Sequence, residues 1–418
     1  MNISSNILPG SEPLIQIGII LPEDQRKSVT LSFTHPSQYE IDSNRPLTWI
    51  GKNKNKLNIS IEDGDVFIRK SKSQFDPRGI TVHEVPAGRG FHWEKPIDVI
   101  LPGNIRIKSQ NQYLLVVNEV PLEQYLACVA VSEMSGKCPP ALLEAQTITA
   151  RSWIMAAEEK KHGDLGLDAC NDDCCQRYQG LGQMTEISIK AANDSKGIFL
   201  IHDNQICDAR YSKSCGGITE GAEYVWDMEP KPYLTSVYDG PETDVNIDWD
   251  QWFDDRPNTF CSPTYANEMD LHAYLGIVDK KGSYFRWNVN FTQKEFCAFF
   301  SKIINMTVSH IDKIDSLKRG KSGRINHLYL DYQTSEGKSK TIQIKSEYEI
   351  RRMLHPSFLY SSCFMVNMDG DHIEFKGAGW GHGVGLCQIG ALGMALNGYS
   401  TEDILTHYFT NSNLKKLY

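Results

Sequence analysis

Residues 377–390 read Gly377-Ala-Gly-Trp-Gly-His-Gly-Val-Gly-Leu-Cys-Gln-Ile-Gly390, which places six glycines in 14 positions. Glycine is used where the backbone turns sharply or approaches a partner closely. The stretch fits neither the phosphate-binding loop nor the dinucleotide-binding glycine pattern, because both require a different glycine spacing between a strand and a helix. We interpret it as a turn that presents Trp380 and His382, either to a ligand or within a packed turn whose histidine is hydrogen-bonded.

The composition of the chain limits the classes of protein to which it can belong. The 418-residue chain is 40% hydrophobic and 23% charged, which is typical of a globular protein with room for two or three domains. Its formal net charge of -9 argues against a general nucleic-acid binder. No apolar run approaches the ~18 residues needed to cross a bilayer, so we predict no transmembrane segment. The first apolar run, residues 15–21, lacks the flanks of a signal peptide, which leaves a cytoplasmic protein and a trimmed mature form as alternatives.

Local patterns predict an α+β fold that is rich in antiparallel strands and has a few helices. Turn residues separate the predicted strands, which are residues 15–21, 28–33, 57–69, 97–108 and 113–118. Helices are predicted after Pro121 and after Pro139, near residues 293–304, and after Ser400, whose partner Asp403 completes a capping box. We predict a β-rich N-terminal region at residues 1–110 and a second, larger domain at residues 111–418.

Three further motifs resolve the meaning of the glycine-rich stretch. They are Asn118-Glu-Val-Pro-Leu-Glu-Gln-Tyr-Leu126, Val131-Ser-Glu-Met134 and Glu144-Ala-Gln-Thr-Ile-Thr-Ala-Arg-Ser-Trp153. In this order and spacing, the four motifs resemble the SpoIID/LytB family, named for a sporulation protein that degrades the glycan strands of peptidoglycan. The resemblance covers about residues 100–415, and within it the acidic, irregular residues 241–284 are interpreted as an insertion.

The resemblance implies a peptidoglycan lytic transglycosylase with Glu133 as its catalytic acid. Such an enzyme cleaves between N-acetylmuramic acid and N-acetylglucosamine without water, because the muramic C6 hydroxyl attacks its own C1 and gives a 1,6-anhydro product. One carboxyl group can make both proton transfers, whereas a hydrolytic glycosidase normally needs two carboxylates about 5 to 9.5 Å apart. To begin the reaction protonated, Glu133 needs an apolar or anionic surrounding. Without the resemblance, Glu133 is an ordinary glutamate at a helix end.

The resemblance also implies a catalytic cleft between subdomains, with a set of substrate-binding residues. These are Gln146, Arg151, Tyr178, Ser212, Ser214, Thr219, Trp380, His382 and Gln388. From the residues alone, Gln146 is either hydrogen-bonded in the core or directed into a cleft. Arg151 has three alternatives: it binds the lactyl carboxylate of muramic acid, it orients Glu133, or it forms a purely structural salt bridge. Residues 211–220 are either groove-lining or a supporting strand and turn.

His162, Cys170, Cys174 and Cys175 form a candidate metal site. One histidine and three cysteines can supply a closed tetrahedral shell for a structural zinc ion. Some members of the family bind zinc through His and Cys just before a stretch that resembles residues 175–180, although Cys174 stands where a histidine is expected. The alternatives are a disulfide or free thiols, and the odd total of 11 cysteines favours no particular framework. No organic cofactor is expected.

The leading hypothesis is therefore a lytic transglycosylase that acts on peptidoglycan glycan strands from which the stem peptides have been removed. The runner-up is a non-catalytic peptidoglycan-binding protein or amidase enhancer. A third hypothesis is a thiol enzyme that uses Cys387 and His382. The substrate class favours the cell envelope, while the lack of a recognisable signal peptide leaves the cytoplasm open.

Overall fold

A computed structural model of the chain describes residues 8–71, 78–91, 94–242, 247–276, 279 and 282–418. The strands are β1 (Leu14–Ile20), β2 (Ser28–Phe33), β3 (Tyr39–Ser43), β4 (Trp49–Ile50), β5 (Lys56–Ser60), β6 (Val66–Lys70), β7 (Ile80–Ala87), β8 (Lys95–Leu101), β9 (Asn104–Gln110), β10 (Tyr113–Pro121), β11 (Ala169–Cys170), β12 (Ile198–His202), β13 (Gln205–Ile206), β14 (Tyr211–Ser212), β15 (Arg286–Thr292), β16 (Val308–Arg319), β17 (Ile325–Thr334), β18 (Ser339–Lys345), β19 (Phe364–Asp369), β20 (His372–Ala378), β21 (Leu386–Cys387) and β22 (Asn413–Lys416). The helices are α1 (Leu122–Glu133), α2 (Pro140–Ala156), α3 (Glu186–Asp194), α4 (Ala222–Val225), α5 (Trp249–Trp252), α6 (Gln293–Ile304), α7 (Glu347–Leu354), α8 (Gln388–Leu396) and α9 (Thr401–Tyr408). The α+β class is confirmed.

The chain divides into two compact units. Unit 1 takes the residues up to 208 together with 274–279 and 414–418, and unit 2 takes 209–273 and 280–413. The boundary predicted near residue 110 is wrong, because β10 pairs with β1 on one side and with β9 on the other in a single sheet. Residues 241–284 are shared between the units, since 274–279 belong to unit 1. Their origin as an insertion stays a prediction.

Unit 1 is built around two large sheets. One has the strand order β11-β1-β10-β9-β6-β3 and the other has the order β4-β5-β2-β7-β8. Both sheets contribute side chains to one hydrophobic core, which also takes Leu122, Leu126 and Ile154 from α1 and α2. All pairings of these two sheets run antiparallel except that of the short strand β11, which lies parallel to β1.

Two predicted strands are each divided in the structure. Residues 57–69 form β5 and β6, which are separated by a 3-10 turn at Ile61–Asp63 and by Gly64, whose φ is 75°. Residues 97–108 form β8 and β9, because Gly103 has a φ of 74° and turns the chain directly after Pro102. A left-handed residue interrupts a strand, and glycine adopts that conformation at little cost. Strands β1, β2 and β10 lie where the sequence predicts them.

The helices follow their local signals. Helix α1 begins after Pro121 and α2 begins at Pro140, as predicted. Thr292 caps α6 with Glu295, and Ser400 caps α9 with Asp403, each in a capping box. Helix α1 buries polar as well as apolar side chains, because its buried residues include Glu123, Ser132 and Glu133.

Unit 2 contains two three-stranded antiparallel sheets, of order β15-β20-β19 and β16-β17-β18. Helix α6 lies against β16 and β15, and α7 lies against β17 and β18. Their shared core is aromatic and includes Phe296, Phe300, Phe364 and Phe375. A short parallel pair, β14 with β21, brings residues 211–212 beside residues 386–387 at the start of α8.

A buried ion pair joins α1 to α2 in unit 1. Arg151 is fully buried, and its guanidinium donates to both carboxylate oxygens of Glu123 at 3.0 and 2.6 Å and to the carbonyl of Ile198 at 3.0 Å. Glu123 also accepts the hydroxyl of Tyr418 at 2.6 Å and the N–H of Gly197 at 3.2 Å. The pair therefore ties two helices, the start of β12 and the C-terminal residues together.

Replacing Arg151 by methionine is expected to lower the free energy of unfolding by about 3–5 kcal/mol, because the buried Glu123 carboxylate loses its cation. Urea denaturation followed by circular dichroism measures this change. Lys190→Met is the matched control, since Lys190 pairs with Asp194 on the exposed surface of α3 and its loss should change the midpoint little. Equal midpoints for the two variants would contradict the structural role assigned to Arg151.

Candidate functional site

Glu133 is the last residue of α1, and only 7% of it is exposed. Its Oε1 accepts the backbone N–H of Arg177 at 2.9 Å. Directly after it, Met134 forms a backbone bridge with Leu275, and a β-carbon at Gly276 would lie 2.7 Å from the carbonyl oxygen of Ser132. The end of α1 is therefore enclosed by two other segments of unit 1, around residues 173–177 and 274–279.

Arg177 forms the ion pairs that lie beside Glu133. Its Nε donates to Asp173 and its Nη1 donates to Asp279 Oδ1 at 2.7 Å. Burial acts to lower the pKa of Arg177, but the carboxylates of Asp279, Asp173 and Glu133 outweigh burial and raise it well above its ordinary value. The charges near Glu133 therefore include a guanidinium that the sequence did not predict, together with the two aspartates bound to it.

The segment that carries Arg177 is fixed to α1 by buried hydrogen bonds. Ser132 Oγ donates to the carbonyl of Cys128 at 2.7 Å and accepts the N–H of Gln179 at 3.0 Å. Tyr178 is fully buried, donates its hydroxyl to Asn118 Oδ1 at 2.7 Å, and packs on Tyr125 at a ring distance of 4.8 Å. These contacts give Tyr178 a packing role inside unit 1.

Two other residues predicted to bind substrate lie in α2. Gln146 is fully buried, which agrees with the core alternative for its side chain. Arg151 contacts Glu123 rather than Glu133, so its contacts support the structural salt bridge among the three alternatives. Arg177, whose backbone N–H contacts Glu133, lies where one of the three alternatives placed Arg151.

The predicted metal ligands His162, Cys170, Cys174 and Cys175 come together in unit 1. Their four ligand atoms all lie within 4.8 Å of one another. The Cys170 and Cys174 sulfur atoms are 3.2 Å apart, and Cys174 Sγ is 3.6 Å from His162 Nε2. Hydrogen bonds with Cys174 and Cys175 raise the pKa of His162 to about 10. All four are free of disulfides, and one imidazole with three thiols at this separation fits a closed tetrahedral zinc site.

The glycine-rich stretch belongs to unit 2 and has an alternating backbone. Gly379, Gly381, Gly383 and Gly385 have φ values of 76°, 90°, 76° and 71°, so every second residue is left-handed. A β-carbon at Gly383 would lie 2.3 Å from Cζ of the buried Arg324. Arg324 donates to the carbonyls of Gly381 and Cys215 at 3.3 and 3.1 Å and so fastens the turn to residues 214–215.

The two side chains presented by this turn have protein partners. The Trp380 ring packs against Tyr284 and Tyr360, with both ring distances 4.6 Å. His382 Nδ1 accepts the N–H of Val384 at 3.0 Å, and its ring lies edge-to-face on Trp226 at 4.8 Å. These contacts agree with the packed-turn alternative for both side chains.

The remaining predicted substrate residues, Ser212, Ser214, Thr219 and Gln388, are buried in unit 2. Ser214 pairs through its backbone with Trp380, and Thr219 Oγ1 accepts the N–H of Val237 at 2.7 Å. These contacts agree with the alternative in which residues 211–220 form a supporting strand and turn. Cys387 is also fully buried, which disfavours the thiol-enzyme hypothesis because a nucleophile must be reached by its substrate.

Sequence reasoning did not select Asp173, Arg177 or Asp279. Asp173 and Arg177 stand four residues apart within the cysteine-containing segment, a spacing that can signal a pair only where the chain turns. Asp279 is 102 residues from Arg177, and no sequence signal links the two.

Comparisons with known proteins identify the class of the segment that carries this site. Residues 110–202 match the family described as Stage II sporulation protein, SpoIID, and residues 220–385 match a domain of unknown function, DUF8618. The predicted resemblance is confirmed by the SpoIID match over residues 110–202 and by the similarity to proteins named Stage II sporulation protein D. None of the helices in the described residues has the length and apolar character that a membrane span requires.

Three relatives show how far the similarity extends. Stage II sporulation protein D of Bacillus subtilis is 25% identical over 348 residues, which cover 79% of this chain and 83% of that protein. An uncharacterised protein of Brachyspira hyodysenteriae is 24% identical over 312 residues, which cover 75% of this chain and 71% of that protein. The amidase enhancer of Bacillus subtilis is 27% identical over 300 residues, which cover 68% of this chain but only 39% of that protein.

Replacing Gly383 by alanine is expected to destabilise unit 2 in two ways. The left-handed backbone costs about 1–2 kcal/mol for a non-glycine residue, and overpacking against Arg324 costs about 1–3 kcal/mol more. Gly398→Ala is the matched control, because Gly398 has a φ of 85° and open space around a β-carbon. Thermal unfolding measures both, and a Gly383→Ala midpoint no lower than that of Gly398→Ala would exclude the close approach of Arg324.

Proposed function

We propose that this chain has a cell-wall-related function and is a lytic transglycosylase that cleaves N-acetylmuramic acid–N-acetylglucosamine glycan. The observation that carries the proposal is Glu133, a buried carboxyl group within residues 110–202, at the end of α1 and hydrogen-bonded to a backbone N–H. The names of the sporulation relatives support a role at the wall. The preferred substrate is glycan without stem peptides, and the cell envelope is then the expected site of action.

Glu133 serves as acid and then as base. Its carboxyl proton passes to the glycosidic oxygen as the bond from muramic C1 to that oxygen breaks, so the N-acetylglucosamine portion leaves as an alcohol. The muramic C6 hydroxyl then bonds to C1, and its proton returns to the Glu133 carboxylate. The 1,6-anhydro ring forms without a water molecule, and the enzyme regains its starting protonation.

The contacts of Arg177 support a mechanism with one catalytic carboxyl group. Asp173 and Asp279 are both bound to its guanidinium, so each carboxylate would have to leave its ion pair before it could activate water as a hydrolytic glycosidase requires. The backbone N–H of Arg177 holds Glu133 in place, and its side chain balances the charge of the two aspartates. Arg177 is therefore a positioning residue in this proposal.

Incubation of the purified chain with peptide-free glycan strands is expected to yield 1,6-anhydro-muramic ends, detected by mass spectrometry. Glu133→Gln should reduce their rate of formation by about 10²–10⁴-fold, because the variant cannot transfer a proton. Glu186→Gln is the control, since Glu186 lies exposed at the start of α3 and should leave the rate unchanged. Both variants should still bring down glycan strands in a sedimentation assay.

The alternative is a non-catalytic peptidoglycan-binding protein or amidase enhancer, and the similarity to the amidase enhancer of Bacillus subtilis favours it as the second candidate. Binding without anhydro ends from the wild-type chain would move the assignment to that role. Muramic products with ordinary reducing ends would instead indicate hydrolysis, with Asp173 or Asp279 as the second carboxylate.

We propose further that His162, Cys170, Cys174 and Cys175 bind a structural zinc ion in unit 1. When bound, zinc would cross-link the residues around 162–175. The cluster is linked to Glu133 through the chain itself, because Cys174 directly follows Asp173 and Asp173 binds Arg177. Zinc at this cluster would therefore hold the segment whose backbone contacts Glu133.

Cys174→Ser is expected to remove one zinc ion per chain, measured by elemental mass spectrometry, and to lower the thermal midpoint. Cys297→Ser is the control, because Cys297 lies in α6 of unit 2 outside the cluster. A Cys174→Ser chain with the zinc content of the wild type would rule out Cys174 as a ligand.

A further inference from the structure

A second group of potential ligands lies inside unit 2. Cys215, Asp239, Cys261 and Cys387 place three sulfur atoms and a carboxylate oxygen within 4.8 Å of one another. All four residues are at most 2% exposed. They come from four distant parts of the sequence, so only the folded chain brings them together.

The spacing of the sulfur atoms matches metal coordination better than a disulfide. Cys215 Sγ and Cys261 Sγ are 3.7 Å apart, whereas a disulfide bond is about 2.05 Å long. Two thiolates at the corners of a tetrahedron with zinc–sulfur bonds of about 2.3 Å are separated by about 3.8 Å. The Cys215–Cys261 separation therefore corresponds to one edge of such a tetrahedron.

Backbone donors are directed at the sulfur atoms. Cys387 Sγ caps α8 by accepting the N–H of Gly390 at 3.3 Å, and it accepts the N–H of Cys215 at 3.2 Å. Cys215 Sγ accepts the N–H of Gly217 at 3.4 Å. Donors of this kind favour the thiolate and orient metal ligands.

Asp239 is held in the same way. Its Oδ1 accepts the hydroxyl of Tyr408 at 2.5 Å, and its Oδ2 accepts the N–H of Cys261 at 3.1 Å and lies 3.2 Å from Cys215 Sγ. His407 Nε2 is 3.7 Å from Oδ1, which is too long for a hydrogen bond. Buried charges are paired or coordinate metal ions, and a cation among the three sulfur atoms would bind this carboxylate beside its contacts with Tyr408, Cys261 and His407.

The start of α8 approaches Asp239 closely enough to need glycine. A β-carbon at Gly390 would lie 2.7 Å from each carboxylate oxygen of Asp239 and 2.2 Å from the Tyr408 hydroxyl. The absence of that atom lets the helix N-terminus and Cys387 reach the carboxylate.

We propose that Cys215, Asp239, Cys261 and Cys387 form a closed tetrahedral site for zinc or a similar thiophilic divalent cation. Three thiolates and one carboxylate complete the shell, so the ion has a structural role. It would join the turn at 215–217, residue 239, the loop around 261 and the start of α8. This site is independent of Glu133 and of the cysteine cluster in unit 1.

The 418-residue chain, purified with zinc and a reducing agent, should contain two zinc ions per chain, and Cys174→Ser should retain one. Zinc K-edge X-ray absorption on Cys174→Ser should then report three sulfur ligands at about 2.3 Å and one oxygen at about 2.0–2.2 Å, without imidazole. Adding Cys261→Ser should abolish the remaining zinc, whereas Asp239→Asn should weaken its retention against a chelator.

A folded Cys174→Ser chain without zinc would overturn the proposal. So would an intact mass of the wild-type chain that has lost two hydrogens, with Cys215 and Cys261 linked in a disulfide. If the cysteine variants do not fold, the zinc X-ray absorption spectrum of the wild-type chain still tests the proposal. An average of three sulfur ligands with about half an imidazole and half an oxygen per zinc supports two sites, whereas three sulfur ligands with one full imidazole per zinc assign all bound zinc to the cluster that contains His162. The test measures zinc and not glycan cleavage, so its result for the zinc site in unit 2 is separate from the result for the proposed function.

Discussion

Helix α1 is buried on nearly every side, and this burial constrains the whole of unit 1. A helix without an exposed face must find partners for its polar side chains among its neighbours, because an unpaired buried polar group is costly. Glu123 forms an ion pair with Arg151, Ser132 accepts the N–H of Gln179, and Glu133 accepts the N–H of Arg177. The same contacts that stabilise the helix therefore fix the segments around the proposed catalytic acid.

In unit 2, backbone groups of the glycine-rich turn supply hydrogen-bond partners for buried charged residues. Its glycine-rich turn alternates between left-handed and ordinary residues, so its carbonyl groups come within reach of the Arg324 guanidinium. The carbonyl of Gly383 accepts the N–H of Glu220, and the Glu220 carboxylate in turn accepts the N–H and hydroxyl of Ser322. Burial raises the pKa of Glu220, although these hydrogen bonds oppose the shift. Side chains at the glycine positions would prevent this close approach.

The two cysteine clusters differ in a way that affects their proposed roles. The cluster in unit 1 includes the exposed Cys174, so a chelator can reach it, and its neighbour Asp173 binds Arg177 beside the proposed acid. The cluster in unit 2 is buried throughout and is supplied with backbone donors. A metal ion there would exchange slowly, since its release requires unit 2 to open. In the roles proposed above, a metal ion in the first cluster would hold the segment beside Glu133, and one in the second cluster would stabilise the fold of unit 2.

The sequence by itself determined what depends on neighbours a few residues apart. Pro121 and the Ser400–Asp403 capping box set the starts of α1 and α9, and short motifs such as that around Glu133 indicated the resemblance to SpoIID, because each of these signals lies within a few neighbouring residues. Tertiary structure decided the partners. Arg151 binds Glu123 rather than Glu133, Asp279 contacts Arg177 across 102 residues of sequence, and Cys215 contacts Cys261. Each of these contacts depends on the path of the whole chain, because buried charges and thiols take whichever partners the packed elements bring to them.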